Sequence, residues 1–128
     1  MKTFIVDSFT DTPFRGNPAG VCFAESPLRE ATMLHIAQEL NLSETAFLHP
    51  LETGGRFSIR FFSPKMEIPL CGHATLASAR AVFAAQGLGD VHFLNIHDLD
   101  LAVRTSEDRI SMVFPVYDTH PAEAPPEL

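Results

Sequence analysis

Cys71-Gly72-His73-Ala74-Thr75-Leu76-Ala77-Ser78-Ala79-Arg80-Ala81-Val82-Phe83-Ala84-Ala85-Gln86-Gly87 is the run that decides the fold. From about Ala74 to Gln86 it reads as a helix that is apolar nearly all round, which is the pattern of a helix buried on most sides. Its many alanines let neighbouring backbone come close. Gly87 is a natural stop. A helix of this kind needs something wrapped around it, and the rest of the sequence supplies mainly strands.

Arg56-Phe57-Ser58-Ile59-Arg60-Phe61 alternates with period two. Thr45-Ala46-Phe47-Leu48 precedes it, and Gly54-Gly55 between the two suits a hairpin turn. Phe4 and Val6 share one side of a first strand, with Ile5 and Asp7 opposite. Val21-Cys22-Phe23-Ala24 is a further short apolar run. Leu99, Leu101 and Val103 alternate with polar neighbours, as do Ile110, Met112 and Phe114, and Ser106-Glu107-Asp108 forms the turn of a second hairpin. A second helix is expected from about Leu28 to Leu40, with Ser26 as N-cap, Pro27 in the first position, and Met33, Ile36, Ala37 and Leu40 on one face. The expected architecture is α+β: a curved mixed sheet wrapped around a central buried helix, with strands joined as hairpins rather than βαβ units. Residues 1–115 form the domain. Residues 116–128, rich in proline and poor in aliphatics, read as a linker toward an absent second domain.

The chain has 128 residues, 45% hydrophobic and 20% charged, enough for one core. Nine Lys and Arg stand against sixteen Asp and Glu, a formal net charge of −7. No basic stripe exists, so nucleic acid and anionic membranes are poor partners. No transmembrane run or signal peptide is present. Cys22 and Cys71 form no Cys-x-x-Cys or zinc pattern, which suits reduced thiols and a cytoplasmic setting. His35, His49 and His120 have no partner at ligand spacing. His92 and His97 are placed on one strand, facing opposite sides, so no metal site is expected.

Three segments carry possible chemistry. Cys71, Gly72 and His73 lie at or just before a helix start, where free backbone N–H groups and the helix dipole accept an anion. Gly72 allows close approach of a ligand, and His73 can donate or pass a proton. Glu44, in Leu42-Ser43-Glu44-Thr45, sits between a helix and a strand, where a partly desolvated carboxylate is a usable general base. Phe14-Arg15-Gly16-Asn17-Pro18-Ala19-Gly20 is a tight loop with no phosphate-binding pattern. Each also suits an ordinary structural role: a turn glycine, a satisfied histidine, a buried thiol, a solvated helix-end glutamate.

Together these motifs resemble one family. They are Asp7-Ser8-Phe9-Thr10 with Gly16-Asn17-Pro18-Ala19-Gly20-Val21, then Ser43-Glu44-Thr45-Ala46-Phe47, then Glu67-Ile68-x-Leu70-Cys71-Gly72-His73-Ala74-Thr75. The resemblance is to phenazine-biosynthesis PhzF-like proteins of the diaminopimelate-epimerase-like fold. It implies two similar domains with a cleft between them, an isomerase that moves a proton on a small carboxylic acid, and neither metal nor organic cofactor. It implies that Glu44 is the catalytic glutamate with His73 beside it, and that Asn17, Cys71, Gly72 and Ala74 meet the substrate. Cys71 matches the first-domain cysteine of related epimerases and ranks behind Glu44. Because the second domain is expected to be absent, the resemblance also implies a homodimer or a pairing with a second-domain chain, or a non-catalytic half.

Overall fold

A computed structural model describes residues 1–8, 17–52, 54–86, 90–97, 99–106 and 109–113. The strands are β1 (Lys2–Ser8), β2 (Asn17–Phe23), β3 (Glu44–Pro50), β4 (Arg56–Phe62), β5 (Glu67–Ile68), β6 (Asp90–Leu94), β7 (Asp100–Ser106) and β8 (Arg109–Val113). The helices are α1 (Glu30–Leu40) and α2 (Gly72–Gln86). One sheet runs in the order β1-β2-β3-β4-β6-β7-β8, with β5 beside β4.

The sheet is mixed, as expected, but hairpins do not account for all of it. β2 pairs with β3 in parallel, and so does β4 with β6. Neighbouring parallel strands need a long crossover, and α1 and α2 are those crossovers. The sequence reading missed this because each strand's own pattern is silent about the direction of its neighbour. It also missed β5, which is only two residues long. Both expected hairpins are present, β3–β4 and β7–β8. His97 lies in the turn after β6 rather than on the strand.

Strand alternation sorts the core onto two faces. Ala19 and Val21 of β2, Ala46 and Leu48 of β3, and Phe57, Ile59 and Phe61 of β4 join Val91, Phe93, Leu101 and Val103 in one cluster with α2. Cys22, Phe47 and Phe62 point the other way and pack with Met33 and Ala37 of α1. The α2 cluster thus draws on strands β2 to β7, a span of about 19 Å at normal strand spacing. A helix is only about 10–12 Å across. One helix can share a core with so many strands only if the sheet curls toward it.

Ala74, Ala77, Ala79 and Ala81 of α2 are buried. Its buried hydroxyls bond back within the helix: Thr75 Oγ1 donates to the Cys71 carbonyl at 2.8 Å and Ser78 Oγ to the Ala74 carbonyl at 2.7 Å. No buried polar atom of these two is left unmatched, so the helix can be enclosed. On the opposite face Gly20 accommodates α1, since an added Cβ would lie 3.0 Å from Leu40 Cδ1.

Helix α1 begins at Glu30, two residues later than expected. Arg29 is extended and precedes the first turn, and no side chain caps it. Ser26 and Pro27 lie in the approach, and Leu28 packs into the α1 cluster instead of opening the helix. Asn41 ends α1 in the left-handed conformation, its N–H bonded to the Ala37 carbonyl at 2.9 Å. Arg60 ties the entrance of α1 to β5: Nε donates to Glu67 Oε2 at 2.7 Å, and Nη2 reaches Glu67 Oε1 at 2.6 Å and Glu30 Oε1 at 3.0 Å. No helix among the described residues is long and apolar enough to cross a membrane. The expected Gly87 stop and the tail from residue 114 onward lie outside the described residues.

The close approach of α2 predicts asymmetric tolerance. Ala77→Leu should destabilise the fold by about 1–3 kcal/mol through overpacking. Ala84→Leu, on the exposed side, should stay within about 0.5 kcal/mol of the parent. Chemical denaturation of the two variants checks this; equal effects would contradict the close-packed face.

Candidate proton-transfer site

Glu44 is the first residue of β3. Its register with Ala19, and the alternation through Ala46 and Leu48, put it on the α2 face. His73 is the second residue of α2, which starts two residues before the expected Ala74. The reason is Cys71. Its carbonyl accepts the Thr75 N–H at 3.0 Å, the first bond of the helix, and its thiol lies near the His73 and Ala74 amides, which favour its ionised form. Cys71 therefore occupies the cap position, with a thiol where a hydroxyl or carboxylate is usual.

The strand face and the helix start meet at one point. Glu44 Oε1 lies 2.8 Å from His73 Nε2, close enough to share a proton, though not aligned as a straight hydrogen bond. Cys71 Sγ lies 3.4 Å from His73 Nδ1. The side chains of His73 and Glu44 are 17% and 18% exposed, so the pair is mostly enclosed yet open on one side.

Burial pushes the Cys71 thiol up to about 11 from its ordinary 9.0. The Ala74 and His73 amides pull against that shift, and the neighbouring Glu44 carboxylate adds to it. At neutral pH this cysteine is a protonated thiol and a poor nucleophile.

Donor atoms of Glu44, Cys71 and His73 all lie within 4.8 Å of one another. As a metal set they are awkwardly placed, because the carboxylate faces Nε2 and the sulfur faces Nδ1. One ion takes one ring nitrogen, so coordination would require one neighbour to move.

The structure brings Glu44, Cys71, Gly72 and His73 together. Ala74 follows directly, but its side chain is fully buried, so only its backbone belongs to the site. Asn17 starts β2, two residues before the partner of Glu44, at the same end of the sheet; its side chain lies outside the described residues. His35 pairs with Glu39 on α1, and His92 with Asp100, both away from the site. Sequence reasoning overlooked Asn95. It is 5% exposed, and its side chain bonds to the carbonyl of Pro69, two residues before Cys71. A lone asparagine in a turn gives no signal of a partner 26 positions away.

Solved structures share this half-fold. A PhzF-family protein of Enterococcus faecalis superposes with a TM-score of 0.75 at 44% identity, over 82% of this chain and 40% of that one. The profile of phenazine biosynthesis-like proteins matches residues 6–124. The chain belongs to the phenazine biosynthesis-like protein family. A mouse phenazine biosynthesis-like domain-containing protein 1 is 46% identical over 96% of this chain and 45% of its own length. An uncharacterized isomerase of Pseudomonas aeruginosa is 39% identical over the whole chain and 49% of its own length. The chain thus spans about half the length of the curated relatives it matches.

The raised thiol has a consequence for stability. A group held protonated by the fold stabilises it fully below the unfolded-state value, and that contribution is lost as pH rises through the folded value. The parent should therefore lose thermal stability between about pH 9 and pH 11. Cys71→Ala should lose less over the same window. Parallel melting curves that fall equally would show that Cys71 is not held in this way.

Proposed function

We propose that the chain carries one wall of an isomerase active site that moves a proton on a small carboxylic acid. Glu44 takes a proton from a substrate carbon and returns it to another position, with His73 holding or relaying it. The N–H groups of Gly72, His73 and Ala74 and the positive end of α2 receive the substrate carboxylate. The observation that carries this reading is the 2.8 Å approach of Glu44 to His73 at a helix start, in a family with members described as isomerases. Proton transfer through a positioned carboxylate and imidazole needs no metal or organic cofactor. Two free cysteines suit a cytoplasmic setting.

The site's open side needs a facing surface to exclude water and fix the substrate. In this reading a second domain supplies it, of the size the relatives carry beyond the matched half. The proline-rich stretch at 116–128 leads to that domain. A second reading, a non-catalytic half that pairs with another copy or another chain, draws on the same coverage of about half of each relative.

Deuterium wash-in from D2O into a panel of small unsaturated carboxylic acids separates the two. The chain joined to the second half of the Pseudomonas relative should label substrate carbon, and Glu44→Gln should slow labelling about a hundredfold or more. Undiminished labelling in Glu44→Gln removes Glu44 from the role. The absence of labelling in the joined protein, with a folded Glu44–His73 pair, favours the non-catalytic reading.

A further inference from the structure

Between β5 and α2 the chain passes through Pro69, Leu70 and Cys71 outside any strand or helix. This passage decides where Cys71, Gly72 and His73 arrive. Upstream it is well fastened. β5 pairs with β4, and the Glu67 carboxylate is gripped on both oxygens by Arg60. Ser63 closes the preceding turn through the amides of Lys65 and Met66. Downstream of Ile68, Leu70 and Cys71 pack against the core cluster, so the backbone of Pro69 is what remains to be held by a directed bond. Pro69 has no N–H to donate, so its carbonyl is its only backbone group able to anchor it.

That carbonyl accepts a hydrogen bond at 3.1 Å from Nδ2 of Asn95. Asn95 sits in the turn after β6. Its Oδ1 accepts two amides, His97 N–H at 2.9 Å and Leu99 N–H at 3.0 Å. The backbone also closes this turn, with Asn95 N–H donating to the Leu99 carbonyl at 3.2 Å. Two amide donors on one side fix which end of the carboxamide is oxygen, and so aim Nδ2 at Pro69. No other side-chain type of this size donates on one end and accepts twice on the other.

We propose that Asn95 is the positioning residue of the site: by pinning the Pro69 carbonyl it sets where Cys71, Gly72 and His73 enter α2 and hence where His73 meets Glu44. The inference rests on the proton-transfer reading only for its catalytic meaning. Its geometric content is testable without any substrate.

The Cys71 thiol is the reporter, since its environment is set by Glu44 from β3 and His73 and Ala74 from α2. In a Cys22→Ala background, iodoacetamide modifies Cys71 alone. Asn95→Ser keeps a hydroxyl able to hold the turn amides but is too short to reach Pro69. It should raise the alkylation rate at pH 8 at least tenfold, as the thiol leaves its enclosed place and a larger fraction ionises. Ile96→Ser, in the same turn and exposed, should leave the rate unchanged. A folded Asn95→Ser protein whose rate stays within twofold of the parent overturns the proposal. If that variant does not fold, hydrogen exchange in the parent decides. The Asn95 side-chain NH2 should exchange at least tenfold more slowly than that of exposed Asn41, and equal rates overturn the proposal.

Discussion

Helix α2 can lie against the sheet only because the face it presents is built from alanine, with serine and threonine hydroxyls turned back on their own helix. Everything about the site follows from that closeness. Larger side chains would lift the helix away, and His73 would no longer reach a carboxylate on the strand face beneath. The same packing holds Ala46 and Leu48 inward, and alternation then leaves Glu44 no choice of face. The 2.8 Å approach of Glu44 to His73 is thus fixed by hydrophobic burial several residues away on both partners.

The chemistry of the helix start is shaped by an unusual cap. A serine or aspartate before Gly72 would satisfy the first amides with a hydroxyl or a permanent charge. Cys71 sets a neutral thiol beside them, because burial and the nearby carboxylate oppose its ionisation. The site therefore keeps the positive end of α2 without an adjacent fixed anion at the cap itself. The charge nearest that helix end is the Glu44 carboxylate, which lies against His73 rather than at the cap position.

Much of this was legible from residue patterns, and the reasons for the rest are specific. The buried helix was readable because, of the thirteen positions from Ala74 to Gln86, only Thr75, Ser78, Arg80 and Gln86 are polar and Arg80 alone is charged. Strand β4 was readable because its alternation is clean, and its burial follows the same alternation. Parallel pairing was not readable, since direction is a property of two strands and a crossover. The start of α2 was set two residues late, because the cap is a thiol and thiols are rarely read as caps. Glu44 and His73 were nominated by family pattern, while residue physics alone left both open to ordinary structural roles. Asn95 gave no pattern at all: its partners are backbone groups, and backbone groups carry no sequence signature.

The two parallel pairs have a kinetic consequence. β2 cannot meet β3 until α1 has carried the chain across, and β4 cannot meet β6 until α2 has done the same. Such contacts close long loops before any favourable pairing returns the lost entropy. Glu44 stands at the end of the first crossover and His73 at the beginning of the second. The pair consequently belongs to neither local unit. In a partly assembled chain with one crossover docked, the carboxylate and the imidazole are strangers. Their meeting marks the stage of folding at which α2 has docked on the side of the sheet formed by β1, β2 and β3.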